Sequence, residues 1–252
     1  MIGPFATTVD EELLARFTAT TGAPASMVLA ARIFECQNEA REALVPPSIL
    51  RAATGGVHGQ HDLVVHRAPA AGEPLRTWAA LHGIRPAGRN TAVTLRYSTV
   101  DGDDGLVAEQ WWTTVFLAVG ADADGDAPPD HRFPDAARSR LVATHHLDVE
   151  PHLAHAYAEL SNDWSAHHFD AEAARASGAD RPFLHGLCTM ALCAGAVAGG
   201  RDLRRIAVRF AATMPLGEQL AVTTYDAAPD TLAFEATAAG TPVITHGLAE
   251  LR

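Results

Sequence analysis

The sequence predicts an α+β fold of two similar halves, each a curled antiparallel sheet wrapped around one helix. Three observations carry that prediction. The stretch "GADADGDAPPDHRFPD", Gly120 to Asp135, is rich in Gly, Pro and Asp and has no apolar period, so it reads as a linker between halves of similar size. The segment "GLCTMALCAGAV", Gly186 to Val197, has helix length and is apolar on nearly all faces, so it has to be enclosed rather than laid on a surface. Four strand candidates follow it in a row, the pattern of an antiparallel meander after a helix. A sheet curled around one buried helix is the hot-dog arrangement. Two of them in one chain make a double hot dog, an intramolecular version of a symmetric dimer. The expected boundaries are 1–119 for the first hot dog, 120–135 for the linker and 136–252 for the second.

In the first half, "VDEELLARFTATTG" reads as an amphipathic helix with Leu13, Leu14 and Phe17 on one side. Asp10 and two glutamates stand at its start, where the helix dipole favours them, and Gly22 follows its end. "SMVLAARIFECQNEAREALV" reads as a second helix, stopped by Pro46-Pro47. "HDLVVHRA", "LRTWAALHGI", "TAVTLRYST" and "GLVAEQWWTTVFLAV" are strands set apart by Gly, Pro and Asp-Gly signals. The second half repeats the plan. "SRLVATHHLDV" is a strand and "EPHLAHAYAELS" a short helix. The apolar helix comes next, and then the strands "RRIAVRFAATM", "EQLAVTTYDA", "TLAFEATAA" and "TPVITHGLAEL".

Composition narrows the function classes. With 30 acidic and 19 basic residues the net charge is −11, which argues against a surface that tracks nucleic-acid phosphates. Hydrophobic residues at 48% supply a sizeable core. Cys36, Cys188 and Cys193 are an odd count at no metal spacing, and two of them lie in the apolar helix, so they are expected to be small buried hydrophobes. No signal peptide is visible and no apolar run is long enough for a membrane span, so a cytoplasmic protein is expected.

Chemistry concentrates in "LSNDWSAHHFD", Leu160 to Asp170. Asp163 and His168 stand just before the buried helix, and a carboxylate and an imidazole meeting in a cleft can hold one water and shuttle its protons. Alone, an Asp-x4-His spacing is equally that of two exposed loop residues. His185-Gly186 sits where the apolar helix begins, and the free N–H groups of a first helical turn carry partial positive charge. Without a side chain at Gly186, a carbonyl oxygen can reach its amide, which is the geometry of an oxyanion hole. His185 itself is expected to bond backbone.

"YAELSNDWSAHHFDAEAA", "RPFLHGLCTMAL" and "RRIAVRFAATMPLGEQL" together resemble the MaoC-like hydratase/dehydratase family, which includes (R)-specific enoyl-CoA hydratases. Tyr157, Leu160, Ser161, Asp163 and His168 fall in order on the family pattern. The resemblance covers essentially all of 140–252 and extends weakly to "GGVHGQHDLVVHRAPAAGEPL" in the first half. It implies that Asp163 and His168 are catalytic, that the Gly186 N–H binds the thioester oxygen, and that the first hot dog is non-catalytic. It also implies an acyl-CoA or acyl carrier protein substrate, with no metal or redox cofactor. Ser161, Ser165 and His185 are expected to contact substrate, and Trp164 to line the acyl pocket. Arg204 and Arg205, with Arg209, are candidates for holding a pantetheine phosphate. A homodimer of double hot dogs is a further expectation. Four positions depart from the pattern: Asn162 stands for Gly, Ser165-Ala166 for Asn-Pro, and His167 for an aliphatic residue. Asn is the non-Gly residue that best tolerates positive φ, so the turn is expected to survive. Two rival readings stay open: another hot-dog enzyme (a thioesterase, or a dehydratase or cyclase of secondary metabolism), and a non-catalytic subunit of a hetero-oligomer. His145-His146 and His152-x-x-His155 read as surface histidines, Trp111-Trp112 as core and interface, and His58-Gly59 as a relic of duplication.

Overall fold

A computed structural model describes residues 1–133 and 135–252; Pro134, within the expected linker, lies outside the described residues. The first half runs β1 (Ile2–Val9), α1 (Glu11–Thr21), α2 (Val28–Arg32), α3 (Phe34–Leu44), α4 (Pro47–Ala52), β2 (Gly56–Val65), β3 (Glu73–Ala87), β4 (Asn90–Val100) and β5 (Leu106–Phe116). A two-residue strand, β6 (Asp124–Gly125), leads to the second half: β7 (Leu141–Asp148), α5 (His152–Ser161), α6 (Ala171–Ala176), β8 (Phe183–Leu184), α7 (Gly186–Ala198), β9 (Leu203–Phe210), β10 (Met214–Pro215), β11 (Gln219–Ala228), β12 (Thr231–Ala238) and β13 (Thr241–Leu251).

The long strands form one sheet in the order β1-β3-β4-β5-β2-β9-β13-β12-β11-β7. Each half uses its five long strands in the same order, first-third-fourth-fifth-second. The chain is therefore a double hot dog, joined where β2 pairs antiparallel with β9 from Gln60↔Arg209 to Val64↔Arg205. On this seam the Asp62 side chain is fully buried, and Arg205 Nε donates to both of its oxygens at 3.1 and 3.2 Å. Burial raises the Asp62 carboxyl, and Arg205 opposes that rise.

Local chemistry sets the helices. Asp10 caps α1 by accepting from the Leu13 amide at 2.7 Å, and Gly22 ends it in the left-handed conformation. The α7 helix is buried on all sides, as its apolar composition demands. It crosses the end of α1 so closely that a methyl group on Gly195 would lie 2.7 Å from the Gly22 carbonyl carbon.

The structure adds detail that the sequence reading lacks. The strand β1 escapes it because "IGPFATTV" has a glycine, a proline and little apolar alternation; it is built by pairing with β3. The helical stretch expected over 26–45 is helical, as a 3-10 turn followed by α2 and α3 with a break at Ile33. Pro46 does end α3, but Pro47 opens α4, since proline suits a first helical position. The stretch expected as linker is tied to the sheet: Gly125 pairs with Gly83, and the Asp130 carbonyl accepts from Arg205 at 3.2 Å. Among the described residues no helix is long and apolar enough to cross a membrane. All three cysteines are free and buried, and burial pushes the Cys36 thiol up to about 12.

Candidate active site

The α5 helix ends at Ser161, and Asn162 takes the left-handed conformation with φ 59°. Asparagine thus performs the turn that glycine would, sending the chain back toward the core. Ser161 Oγ donates to the Tyr157 carbonyl at 2.9 Å and accepts from the Asp163 amide at 3.2 Å, which locks the first residue of the loop. The amide and hydroxyl of Ser165 both donate to Asp163 Oδ1, at 3.1 and 2.6 Å. These bonds stiffen the loop where a proline is missing, and they leave Oδ2 free.

A 3-10 turn, Ala166–His168, then delivers His168. Its Nδ1 donates to the Phe183 carbonyl at 2.8 Å, so in the neutral ring Nε2 is the bare nitrogen. That Nε2 lies 3.8 Å from Asp163 Oδ2. The gap is too long for a direct hydrogen bond, but one water oxygen can lie at about 2.8 Å from both atoms. Burial pushes the Asp163 carboxyl up, yet His168, Ser165 and His185 outweigh it and hold the group below its ordinary value.

His185 precedes α7 and, as anticipated, bonds backbone: its Nε2 donates to the Asp163 carbonyl at 2.9 Å. Its ring stacks on His168 with centroids 3.6 Å apart. Burial, then the neighbouring His168, lowers its pKa to about 4. One donor atom from each of Asp163, His168 and His185 falls within 4.8 Å of the others. The rings stack with their planes at 27°, and His185 Nε2 is already engaged while its Nδ1 is buried without a hydrogen-bond partner.

The first helical bond of α7 runs from Thr189 N to the His185 carbonyl, so the amides of Gly186, Leu187 and Cys188 have no helical partner. The backbone of Gly186 does not require a glycine, since its φ is not positive. A methyl group there would meet Phe210 at 3.4 Å and His58 at 3.8 Å without clashing with either. What the glycine leaves is a side-chain-free approach to a free amide, between Phe210 and His58.

Both groups open on one cavity of about 430 Å³. The second half lines it with Ser161, Asp163, Ser165, His168, His185 and Gly186, and the first half closes it with residues of α2, α3, β2 and β5.

The MaoC like domain family matches residues 133–246. The chain carries a MaoC-like domain. Over 196 aligned residues it is 30% identical to 3-hydroxyacyl-thioester dehydratase Y of Mycobacterium tuberculosis, covering 73% of this chain and 66%, just under two thirds, of that relative. The fold is similar to that of a MaoC-like dehydratase from Phytophthora capsici (TM-score 0.80, 19% identity, 99% of this chain and 95% of that one). It is also similar to HtdX of Mycobacterium tuberculosis (TM-score 0.74, 16% identity, 98% of each chain).

The MaoC-like domain does not bring every candidate to the cavity. Trp164 points away from it, is 53% exposed and lies near Phe169, because the Asx turn at Asp163 turns the next side chain outward. Arg205 is held in the seam by Asp62, and Arg204 pairs with Glu250 at 2.9 Å on the surface. Neither arginine lines the cavity. Conversely, the cavity wall holds residues that the sequence reading passed over: Phe34, Asn38 and Arg41 in one stripe of α3, and His58 on β2. The stripe was available as a 3-4-3 spacing from Ala31 to Arg41, hidden because it mixes apolar and polar side chains. His58-Gly59, read as a relic of the His185-Gly186 pair, lies on a strand rather than at a helix start. It faces Gly186 across the cavity.

Proposed function

We propose that the protein is a hydratase/dehydratase that interconverts trans-2-enoyl and (R)-3-hydroxyacyl thioesters of coenzyme A or an acyl carrier protein. The observation that carries this reading is the pairing of Asp163 and His168, 3.8 Å apart, with the free amide end of α7 on the same cavity. The Gly186 N–H and the dipole of α7 polarise the thioester carbonyl, which makes the beta carbon of the enoyl group electrophilic. Asp163 and His168 hold one water. His168 Nε2, bare in the resting ring, accepts its proton as the water oxygen bonds to the beta carbon. Electron density moves onto the thioester oxygen and returns as a proton from the dyad bonds to the alpha carbon on the same face. Dehydration is the reverse, and the elements of one water are the only atoms gained or lost. The 30% identity to a 3-hydroxyacyl-thioester dehydratase supports this chemistry.

The competing reaction is hydrolysis of the thioester, which polarises the same carbonyl but aims its water at the carbonyl carbon. Hydration needs one group to take a proton from water and one to give a proton to the alpha carbon, and a paired carboxylate and imidazole suit that task. In deuterated water, crotonyl-CoA should give (R)-3-hydroxybutyryl-CoA with one deuterium at the alpha carbon and no free thiol. Release of coenzyme A without a hydroxyacyl product would decide for a thioesterase, and no reaction at all for a non-catalytic subunit.

A further inference from the structure

The β2 strand carries an irregularity where it meets the cavity. Its register with β5 shifts between His58 and Gln60, leaving Gly59 unpaired as a bulge. The glycine is required there, because a methyl group on Gly59 would lie 2.7 Å from Val115 Cγ2. In a regular strand His58 and His61, three residues apart, would point to opposite faces. The bulge turns both toward Trp112. His58 stacks flat on the indole, with centroids 3.8 Å apart and planes at 2°, and His61 meets it edge-on at 5.6 Å. His61 is anchored in turn by Gln110 at 3.0 Å.

Held by its face, His58 presents only its edge. Nδ1 is directed toward Gly186, 3.8 Å from where a methyl group would stand on that residue. Nε2 is buried without a hydrogen-bond partner. A buried orphan N–H is costlier than a buried bare nitrogen, so the ring proton belongs on Nδ1, where the cavity can supply an acceptor. Burial, then the neighbouring His61, pushes its pKa well below the ordinary value against the opposing pull of the Gln60 backbone, so the ring stays uncharged.

We propose that His58 touches the substrate, its Nδ1–H giving the thioester oxygen a second hydrogen bond beside that of the Gly186 amide. The non-catalytic half would thus supply one of two donors to the developing oxyanion. This rests on the thioester reading of the cavity. It goes beyond that reading by giving the first half a part in the reaction itself.

The test is steady-state hydration of crotonyl-CoA by the wild type, His58→Phe and His58→Gln. Phenylalanine keeps the stack on Trp112 and loses the donor; glutamine restores a donor. His58→Phe should lower kcat by about 10–100-fold, somewhat less than the loss typical of an oxyanion-hole donor, with KM and Tm little changed. His58→Gln should recover most of that loss. A His58→Phe enzyme with wild-type kcat, or two variants that lose activity equally, would overturn the proposal. Should His58→Phe fail to fold, the wild type still answers with ring-15N histidine spectra and two inert coenzyme A analogues. One is a ketone that keeps the carbonyl, the other a thioether that lacks it. The His58 Nδ1 signal, identified by its absence from His58→Gln, should move with the ketone and not with the thioether; equal shifts, or none, reject the contact. A wild type that hydrates no enoyl thioester points instead to failure of the underlying reading.

Discussion

The two halves share a strand order and differ in what lies between their first helix and their central helix. In the second half this segment runs from Asn162 to His185 and holds the Asx turn, both histidines of the stack and the carboxylate. In the first half it shrinks to Gly22–Met27, "GAPASM", with no acid and no imidazole. The shared sheet therefore does not distinguish the halves; the loop ahead of the buried helix, where the proposed dyad lies, does. The first half lines the same cavity through the stripe on α2 and α3 and through the bulge on β2 that carries His58.

That asymmetry can be broken most severely at the loop. Asp163→Asn and His168→Ala should each lower kcat by about 10³-fold or more, with unchanged folding by circular dichroism. The double variant should be little worse than either single one, because the two groups act as a unit. Near-normal turnover in a folded Asp163→Asn protein would remove the mechanism. The seam comes next. Asp62→Ala leaves Arg205 half-buried and without its main partner, and should cost about 3 kcal/mol in chemical denaturation, in one transition that involves both halves. Two separate transitions would mean that the halves fold independently. Gly186→Ala sharpens the division between packing and function. Alanine suits a helix better than glycine, so Tm should hold or rise, while kcat/KM falls about 10–100-fold as the methyl group occupies the space beside the amide.

Both halves also bury neutral histidines, His61 in the first and His185 in the second, each with a pKa lowered to about 4 by burial. The unfolded chain binds protons at these sites near pH 6.5 and the folded chain does not. Their stability contribution is therefore complete above pH 6.5 and is lost as pH falls toward 4. Denaturation midpoints at pH 7 and 5 should differ by about 1–2 kcal/mol for each histidine, and His61→Gln should flatten that slope. Asp163 works in the same direction over a more acidic window: its lowered carboxyl contributes stability above its ordinary pKa, lost as pH falls through the lowered value. The smallest effect belongs to Arg204→Ala. The side chain is exposed and paired with Glu250, so stability should change by about 0.5 kcal/mol or less, and KM for a coenzyme A ester should stay the same.

Sequence reasoning reached furthest where local chemistry decides the outcome. The enclosure of α7 follows from its composition, the αL turn at Asn162 from the tolerance of asparagine, and the backbone bond of His185 from its place before a helix. It failed where a side chain's direction depends on partners far along the chain. Arg205 looks like an anion ligand until β9 is set beside β2, where Asp62 claims it. Trp164 looks like a pocket wall until the Asx turn at Asp163 turns it outward. His58-Gly59 looks like a relic of the His185-Gly186 pair until β2 is set beside β5, where the bulge at Gly59 turns His58 toward Trp112 and the cavity.

Joining the halves along β2 and β9 has a consequence for how the protein is made. Asp62 and Arg205 stand 143 residues apart, so the pairing that closes the cavity also closes a very long loop. Contacts of such high sequence separation form slowly. On the ribosome, β2 waits as a bare edge until β9 emerges, an interval in which an unpaired strand is exposed to mispairing. A nascent or partly folded chain has the dyad but no closed site around it. Turnover of a thioester would then count only molecules that have completed folding, making activity a census of assembled chains.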